Sequence, residues 1–565
     1  MSAVQPVPPS PPIAKKSWGE AAQAYLDRRA IIILFLGFFA GIPIMLIFSS
    51  LSLWLREAGI DRGVVTMFSW AALGYSFKFI WAPLVDAVPL PILTKLLGRR
   101  RAWILVAQLM IILAICIMAS VNPITEGSLT LMAIGAVLLG FSSATQDIVV
   151  DAYRIELAPP SLQAVLSAMY VAGYRIGMIV AGAGALYLAD YFGSTEALYS
   201  YEAWRNTYWV MAGVMAAGVV TTLIIREPVI SRVLTTKTSD DEPFLIPHKT
   251  SDYARLLLVF VLSVSGFIGV FITAGSLLPE TDSAVLGFLL EIVHLTVSLA
   301  AALIIGYGLV KAGLVKKQMA MEMWVEPIAD FFRRYGKKAL LLLALVGLYR
   351  ISDIVAGVIS NVFYLDMGFT KIEIANAVKL FGVIMAIAGG FLGGLLAQRM
   401  RIMRAMMVGA ILACVTNLLF VLLTYNPGSL PYMYLAVSLD NLAAGLASAI
   451  FIAFLSALTS IRFTAVQYAI FSSLMTLLPK VLGGYSGTIV DNTNYQFFFI
   501  FTFAIGIPIL ALIYFVDKHI VIGDNDDIYD DGGDDDNDSS GNKGVELTKA
   551  NPNLSNTNEP PRATE

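Results

Sequence analysis

The chain has 565 residues, of which 57% are hydrophobic and only 14% are charged, with a formal net charge of −3. Soluble domains carry about 25% charged residues, so this chain lacks the polar surface to face water on every side, and a string of soluble domains is excluded. The net charge says little, because local charge decides membrane topology. Cys116 and Cys414 lie in apolar runs with no C-x-x-C and no partner at metal spacing. They read as small buried hydrophobes, and neither a metal nor a cofactor is expected.

Residues 1–29 form an N-terminal arm with a proline-rich stretch, Pro6 to Pro12, and the pair Lys15-Lys16. It has no apolar stretch ending in a small-residue cleavage site, so the first long helix is expected to insert directly. Apolar runs of about 20 residues, the length that crosses a bilayer, follow near 30–54, 64–84, 102–121, 130–153, 164–189, 204–225, 254–278 and 284–310. They continue near 339–363, 372–397, 403–424, 433–458, 465–488 and 495–516, about fourteen in all.

Lys and Arg gather in alternate loops: the arm, 85–101, Arg154, 226–253, 311–338, Arg399 to Arg404, and Arg462. The loops near 122–129, 190–203, 279–283, 425–431 and 489–494 carry none; the exceptions are Arg56 and Arg62 in the first outer loop, with Arg205 and Lys371 at the edges of two others. This alternation places both termini in the cytoplasm. Two segments do not read as spans. Residues 318–335 mix Met, Trp324, Phe331 and Phe332 with charges, as an interfacial amphipathic helix does. The tail, 517–565, holds an acidic run from Asp524 to Asp538 and reads as disordered. Its Asp536-x-Asp538-x-Ser540-Gly541 resembles the start of a calcium loop, but Leu547 stands where the closing Glu is needed.

The expected architecture is all-α and polytopic. Six helices lie in 30–225 and six in 339–516, with a central linker, 226–338, that carries two extra membrane helices and the amphipathic segment. An internal repeat supports this division. Helix 164–189 carries Arg175 and a glycine run from Gly177 to Gly184, and helix 465–488 carries Lys480 with Gly483, Gly484 and Gly487. Small residues let helices approach closely, as rocking bundles require.

A charge in a central membrane position costs about 2.5–3.5 kcal/mol on insertion scales, so it faces an aqueous cavity or a partner. Asp147 and Asp151 share one helical face beside Thr145 and Gln146, a candidate cavity wall or gate. Arg154, near the helix end, reads as an ordinary interfacial charge. Arg175 sits mid-helix and either binds an anion or neutralises an Asp. Lys480 poses the same choice, Arg350 and Asp353 are three apart, and Lys78, Lys379 and Asp440 complete the set. Glu291 and His294, also three apart, are a candidate proton relay or a structural pair in the inserted helices.

Around these residues the chain resembles the AmpG-type muropeptide permeases of the major facilitator superfamily. The resemblance rests on Tyr75 to Asp86 (YSFKFIWAPLVD) with Gly98-Arg99-Arg100-Arg101, and on Thr145 to Arg154 (TQDIVVDAYR). It continues in Gly173 to Met178 (GYRIGM), Ala185 to Asp190 (ALYLAD), Asp440 to Gly445 (DNLAAG) and Thr464 to Ala469 (TAVQYA), so it covers about 30–225 and 339–516. The helices at 254–310 and the acidic tail depart from that pattern. The resemblance implies two six-helix bundles that import anhydro-muropeptides across the inner membrane with protons, for cell-wall recycling. Arg175, Lys480 and Arg350 would then hold carboxylates, and Asp147 or Asp440 would exchange the proton. It also implies a gating loop of Lys78, Asp86, Arg99, Arg100 and Arg101, with Asp86 pairing the arginines across the bundle interface.

The expected partners are a muropeptide or related anionic small molecule, protons and the lipid bilayer, with no nucleic acid. An alternative keeps the fold and changes the anion, as in a related acetyl-CoA transporter. An enzyme is not expected, since the three histidines, His248, His294 and His519, are scattered and no catalytic set is visible. A pump is disfavoured because no G-x-x-x-x-G-K-[ST] occurs. Asp147 and Arg175 lie on consecutive helices at depths of about 10 and 16 Å from the shared end, so a coupled pair is expected.

Overall fold

The computed structural model describes residues 17–61, 64–65, 68, 71, 73–194, 199–228, 249–277, 279, 284–483 and 486–520. The expectations for the tail beyond residue 520, and for the side chains of Glu291, Lys379 and Lys480, lie outside the described residues. Every element described is helical.

The part before the linker runs α1 Arg28–Glu57, α2 Leu73–Phe77, a 3-10 turn Lys78–Ile80, α3 Ala82–Ala87, α4 Arg99–Ala119, α5 Ser128–Leu157, α6 Pro160–Tyr191 and α7 Tyr201–Ile224. The inserted pair is α8 Thr250–Gly275 and α9 Ala284–Lys311, and the amphipathic segment ends in α10 Glu326–Tyr335. The second part follows as α11 Ala339–Leu348, α12 Ile351–Asp366, α13 Ile372–Arg399, α14 Ile402–Thr424, α15 Leu430–Leu458, α16 Thr464–Gly483, α17 Ser486–Asn492 and α18 Tyr495–His519.

Eleven helices among the described residues are long and apolar enough to cross a membrane. The expected crossings not among them are those near 64–84, 284–310 and 465–488. The first and third are interrupted by undescribed residues, and in α9 the described apolar stretch is Thr296–Lys311. A count of fourteen is therefore not reached.

Local chemistry sets several of these elements. Asp27 caps α1 by accepting from the Arg29 N–H at 2.7 Å. Pro43 withdraws a donor inside α1, and a π-turn follows at Leu46–Ser50; α6 carries its own π-turn at Val180–Gly184. The two turns meet where the Ser50 hydroxyl donates to the Ala181 carbonyl at 2.8 Å. Below them α1 and α6 are pressed together along glycines. A Cβ on Gly173 would lie 2.0 Å from the Leu34 oxygen, and one on Gly41 would lie 2.1 Å from the Tyr174 oxygen. A second seam joins α13 to α15, where Gly389 and Gly445 face the carbonyls of Leu442 and Ala386, each at 2.0 Å from a would-be Cβ. Seams this close fix helix pairs as blocks.

Three buried apolar clusters follow. One fills the second part, and one fills the far end of the first part, around Trp54, Met118 and Trp204. The third, at the end bearing the basic loops, joins first-part residues such as Val149 and Leu166 to Ala465 and Ala469 of α16 and to Met319 and Met323 of the linker. The amphipathic segment thus turns its apolar side to the protein, with Phe331 buried against Phe471 at a ring distance of 5.2 Å. The two halves share a core at the basic end, whereas the far-end cluster is drawn from the first half alone.

Candidate functional site

The last turns of α5 are buried on every side, from Ser142 through Glu156. Two bonds hold this stretch to the second crossing: Tyr75 donates to Ser143 Oγ at 2.6 Å and the Trp81 indole to Thr145 Oγ1 at 3.1 Å. They bring Lys78 over the acidic face of α5, with its Nζ 3.7 Å from Asp151 Oδ2. Asp147, one turn earlier, accepts from the Tyr170 hydroxyl of α6 at 3.3 Å. Lys78, Asp147 and Asp151 are all less than one-tenth exposed. Gln146 is buried too, and its amide has no hydrogen-bond partner among the described residues. Lys78, read from the sequence both among the intramembrane charges and in the gating loop, lies in this cluster.

The second half holds a comparable set. Arg350 stands in the break between α11 and α12 and is ion-paired with Asp353. Asp440 on α15 accepts from Thr416 Oγ1 at 3.2 Å. Asn417 donates to Ser352 Oγ at 2.8 Å, and Ser352 donates to the Thr502 carbonyl at 2.7 Å, so hydroxyls and amides line the same region.

Arg175 lies between the two sets. It is exposed although mid-helix, and it makes no hydrogen bond or ion pair among the described residues. The charges within its electrostatic reach are Arg350 and Asp353 of the other half, together with Tyr174. A guanidinium inside an apolar span needs water or an opposite charge, and the charged groups near this one belong to the opposite half. The expected Asp147–Arg175 pair is not what forms. Asp147 is surrounded by Lys78, Asp151 and Tyr170, and Tyr174 stands within reach of both Asp147 and Arg175.

The loop residues build a knot at the basic end. Arg100 Nη2 contacts Asp86 Oδ1 at 2.7 Å and Glu156 Oε1 at 2.5 Å, and Arg99 Nη1 donates to the Asp86 carbonyl at 3.0 Å. Glu227 caps α4, its carboxylate accepting the N–H of Arg100 at 2.8 Å and of Arg101 at 3.0 Å. Gly98, at φ +92°, makes room, since a Cβ there would lie 2.4 Å from the Glu227 side chain. Arg101 turns away and donates to the Thr222 and Leu223 carbonyls at the end of α7. Asp86 therefore pairs with the arginines inside the first half, not across the interface. The reason is reach: Asp86 and Arg100 sit on adjacent helix ends, and the bond that crosses is from Thr464 Oγ1 to Glu156 Oε1 at 2.8 Å.

Other bonds cross at this end. The Tyr25 hydroxyl donates to the Phe391 carbonyl at 2.6 Å, and Gln398 donates to the Ser161 carbonyl. Arg334 of the linker donates to Gln467 Oε1 at 2.8 Å and to the Leu458 carbonyl at 3.1 Å. Arg154, read from the sequence as an interfacial charge, is wholly buried and donates to Ser456 of the second half at 2.9 Å. Helix α16 covers the end of α5, which is why the residue never reaches solvent. His294 stays within the inserted pair, its Nε2 2.7 Å from the Phe271 carbonyl and its ring stacked on Phe271 at 4.1 Å.

Sequence reasoning missed Glu156, Glu227, Ser456 and Thr464. Glu156 carried a signal, since it stands two residues beyond Arg154 on the same charged helix end as Asp147 and Asp151.

The chain is 28% identical over 496 residues to a Rickettsia felis protein named AmpG 4, a match covering 88% of this chain and 98% of that one. It is 28% identical over 491 residues to the anhydromuropeptide permease of Escherichia coli K12, covering 86% and 80%. Among solved structures, the proton:xylose symporter XylE superposes with a TM-score of 0.57 at 12% identity, covering 89% of this chain and 97% of the other, a likeness of fold. The sequence profile described as Major Facilitator Superfamily matches residues 30–369. With that match over more than half its length, and with two helical halves closed on one another at one end, the chain belongs to the Major Facilitator Superfamily.

Proposed function

We propose that the chain is a proton-coupled importer of anhydro-muropeptides across the inner membrane, with both termini and the basic end in the cytoplasm. The substrate class is supported by the similarity to the Escherichia coli permease along most of both chains. The observation that carries the reading is Arg175, an exposed guanidinium with no ion-pair partner among the described residues, within electrostatic reach of Arg350 and Asp353. Muropeptides carry carboxylates on their peptide, and a carboxylate binds best to a forked guanidinium. Lys379 and Lys480 are further candidate cations for the same anion.

With the basic end read as cytoplasmic, the shared core there supports a state closed to the cytoplasm. Substrate then enters from the opposite side, and the two glycine-seamed halves rock about the cleft. Asp147 and Asp440, each held by a hydroxyl, are the candidate proton carriers. One proton falling through 100 mV supplies about 2.3 kcal/mol, enough for about fifty-fold accumulation.

Uptake into membrane vesicles tests the reading. Labelled anhydro-muropeptide is expected to accumulate against its gradient, with accumulation abolished by a protonophore. Uptake of labelled acetyl-CoA in its place would overturn the substrate, and protonophore-resistant accumulation would overturn the coupling.

A further inference from the structure

Resting on the proton-coupled reading, we infer that Arg154 links the charge state of the first-half carboxylates to the closure between the halves. One guanidinium touches both. On the cavity side, Arg154 Nη2 lies 3.5 Å from Asp151 Oδ1, while the other Asp151 oxygen lies 3.7 Å from Lys78 Nζ. On the closure side, Arg154 Nη1 donates to Ser456 Oγ of α15 at 2.9 Å, and the guanidinium lies 5.3 Å from the ring centre of Tyr468 on α16.

The position is held by local design. The Gln163 amide donates to the Arg154, Ile155 and Ala158 carbonyls, capping the end of α5. Its oxygen is thereby aimed at Arg154 Nη1, 3.0 Å away, and the Ser167 hydroxyl meets the same nitrogen at 3.1 Å. The guanidinium is thus fixed by α6 while its two outer contacts belong to different moving parts.

The charged and titratable groups around it come from every packed element. Among the described residues they are Asp147 and Asp151 on its own helix, Lys78 on the second crossing, Tyr170 and Tyr174 on α6 and Tyr468 on α16. Glu156, two residues on, turns to Arg99 and Arg100 instead. The carboxylate in contact with Arg154 is therefore Asp151. When Asp151 is ionised, the buried guanidinium has its counter-charge and the closure is stable. When Asp151 is neutralised by a proton, a buried cation loses that partner, a costly state. Parting the halves at Ser456 and Tyr468 admits water to Arg154 and relieves it. Proton loading on the cavity side thereby favours opening at the basic end.

The test measures the distance between spin labels at Leu96 and Arg404, two exposed positions of the basic end, one in each half. The full-length protein is reconstituted in vesicles, and the share of the open state is followed against pH. For the wild type the open share is expected to rise as pH falls. Arg154→Gln should raise the open share at neutral pH between about 5- and 150-fold, the span of ordinary coupling energies, and abolish its pH response. Asp151→Asn should raise it alike, and the double variant should add nothing to Arg154→Gln, because the two act as one unit. Ser456→Ala, a mild change suited to the case where Arg154→Gln does not fold, should raise the open share and keep the pH response.

A full pH response in Arg154→Gln, additive effects of the two substitutions, or an unchanged open share in Ser456→Ala would each overturn the inference. A wild type whose open share ignores pH and whose uptake ignores a protonophore would overturn the proton-coupled reading itself, and the inference with it.

Discussion

Replacing Gly173 by Ala tests whether the seam between α1 and α6 holds the cavity in shape. The new Cβ would lie 2.0 Å from the Leu34 carbonyl oxygen, where ordinary contact begins at 3.4 Å, so the helices must part by about 1.4 Å. The obstacle is backbone on both sides, and no flexible side chain is there to yield. Overpacking of this kind costs about 1–3 kcal/mol. The displacement also carries Tyr170, three residues earlier on α6, whose 3.3 Å bond to Asp147 is already near the limit for a hydrogen bond. Gly173→Ala is therefore expected to lower the midpoint of thermal unfolding in detergent and to cut uptake by tenfold or more, about 1.4 kcal/mol. Gly213→Ala on α7 is the control, because a Cβ there meets nothing within 4 Å. Ala exceeds Gly in helix propensity by about 1 kcal/mol, so the control should be neutral or slightly stabilising. If the two variants behaved alike in both assays, the seam would have no such role.

Thr464→Val removes the donor to Glu156 across the halves and should raise accessibility of the cleft from the basic end; cysteine labelling at that end, unchanged from wild type, would show the bond to be incidental. Asp86→Asn removes one of the two carboxylates on Arg100 and should slow uptake about tenfold, since buried charge-paired bonds contribute about 1.5–3 kcal/mol each; normal uptake would leave Asp86 only a topological role. Deleting the inserted pair, α8 and α9, takes out an even number of helices and should leave transport intact. A folded deletion variant that binds substrate but does not move it would make the pair part of the mechanism. Asp147→Asn should flatten the pH dependence of uptake while Arg175→Lys weakens substrate affinity; if the first keeps its pH profile and the second its affinity, neither residue has the role proposed.

The intramembrane charges were legible because a Lys, Asp or Arg inside an apolar run has few permitted reasons to be there. Lys78, Asp147, Asp151, Arg350 and Asp440 all turned out buried or half-buried among partners. Partner choice was not legible, since it depends on how helices distant in sequence are rotated. Asp147 met Tyr170 rather than Arg175 because α6 presents its tyrosines to α5 at that depth. Arg154 was misjudged for a related reason: three residues from a helix end means solvent only if nothing covers that end, and α16 does. Thr464 and Ser456 are hydroxyls in apolar helices, where most such groups bond their own backbone, as Ser456 also does in donating to the Ile452 carbonyl.

The linker helix has a mechanical consequence. The indole of Trp324 is bonded to the Ile80 carbonyl of the first half, and Arg334, ten residues on, is bonded to Gln467 of the second. Gln467 also donates to the Pro327 carbonyl at 2.8 Å and to Asp330 Oδ2 at 3.0 Å, so the second half grips α10 along its length while the first half holds the turn that leads into it, at Trp324. The segment is a clasp riveted to one jaw and hooked to the other: when the basic end widens, the helix travels with the second half and the Trp324 bond is the one that parts.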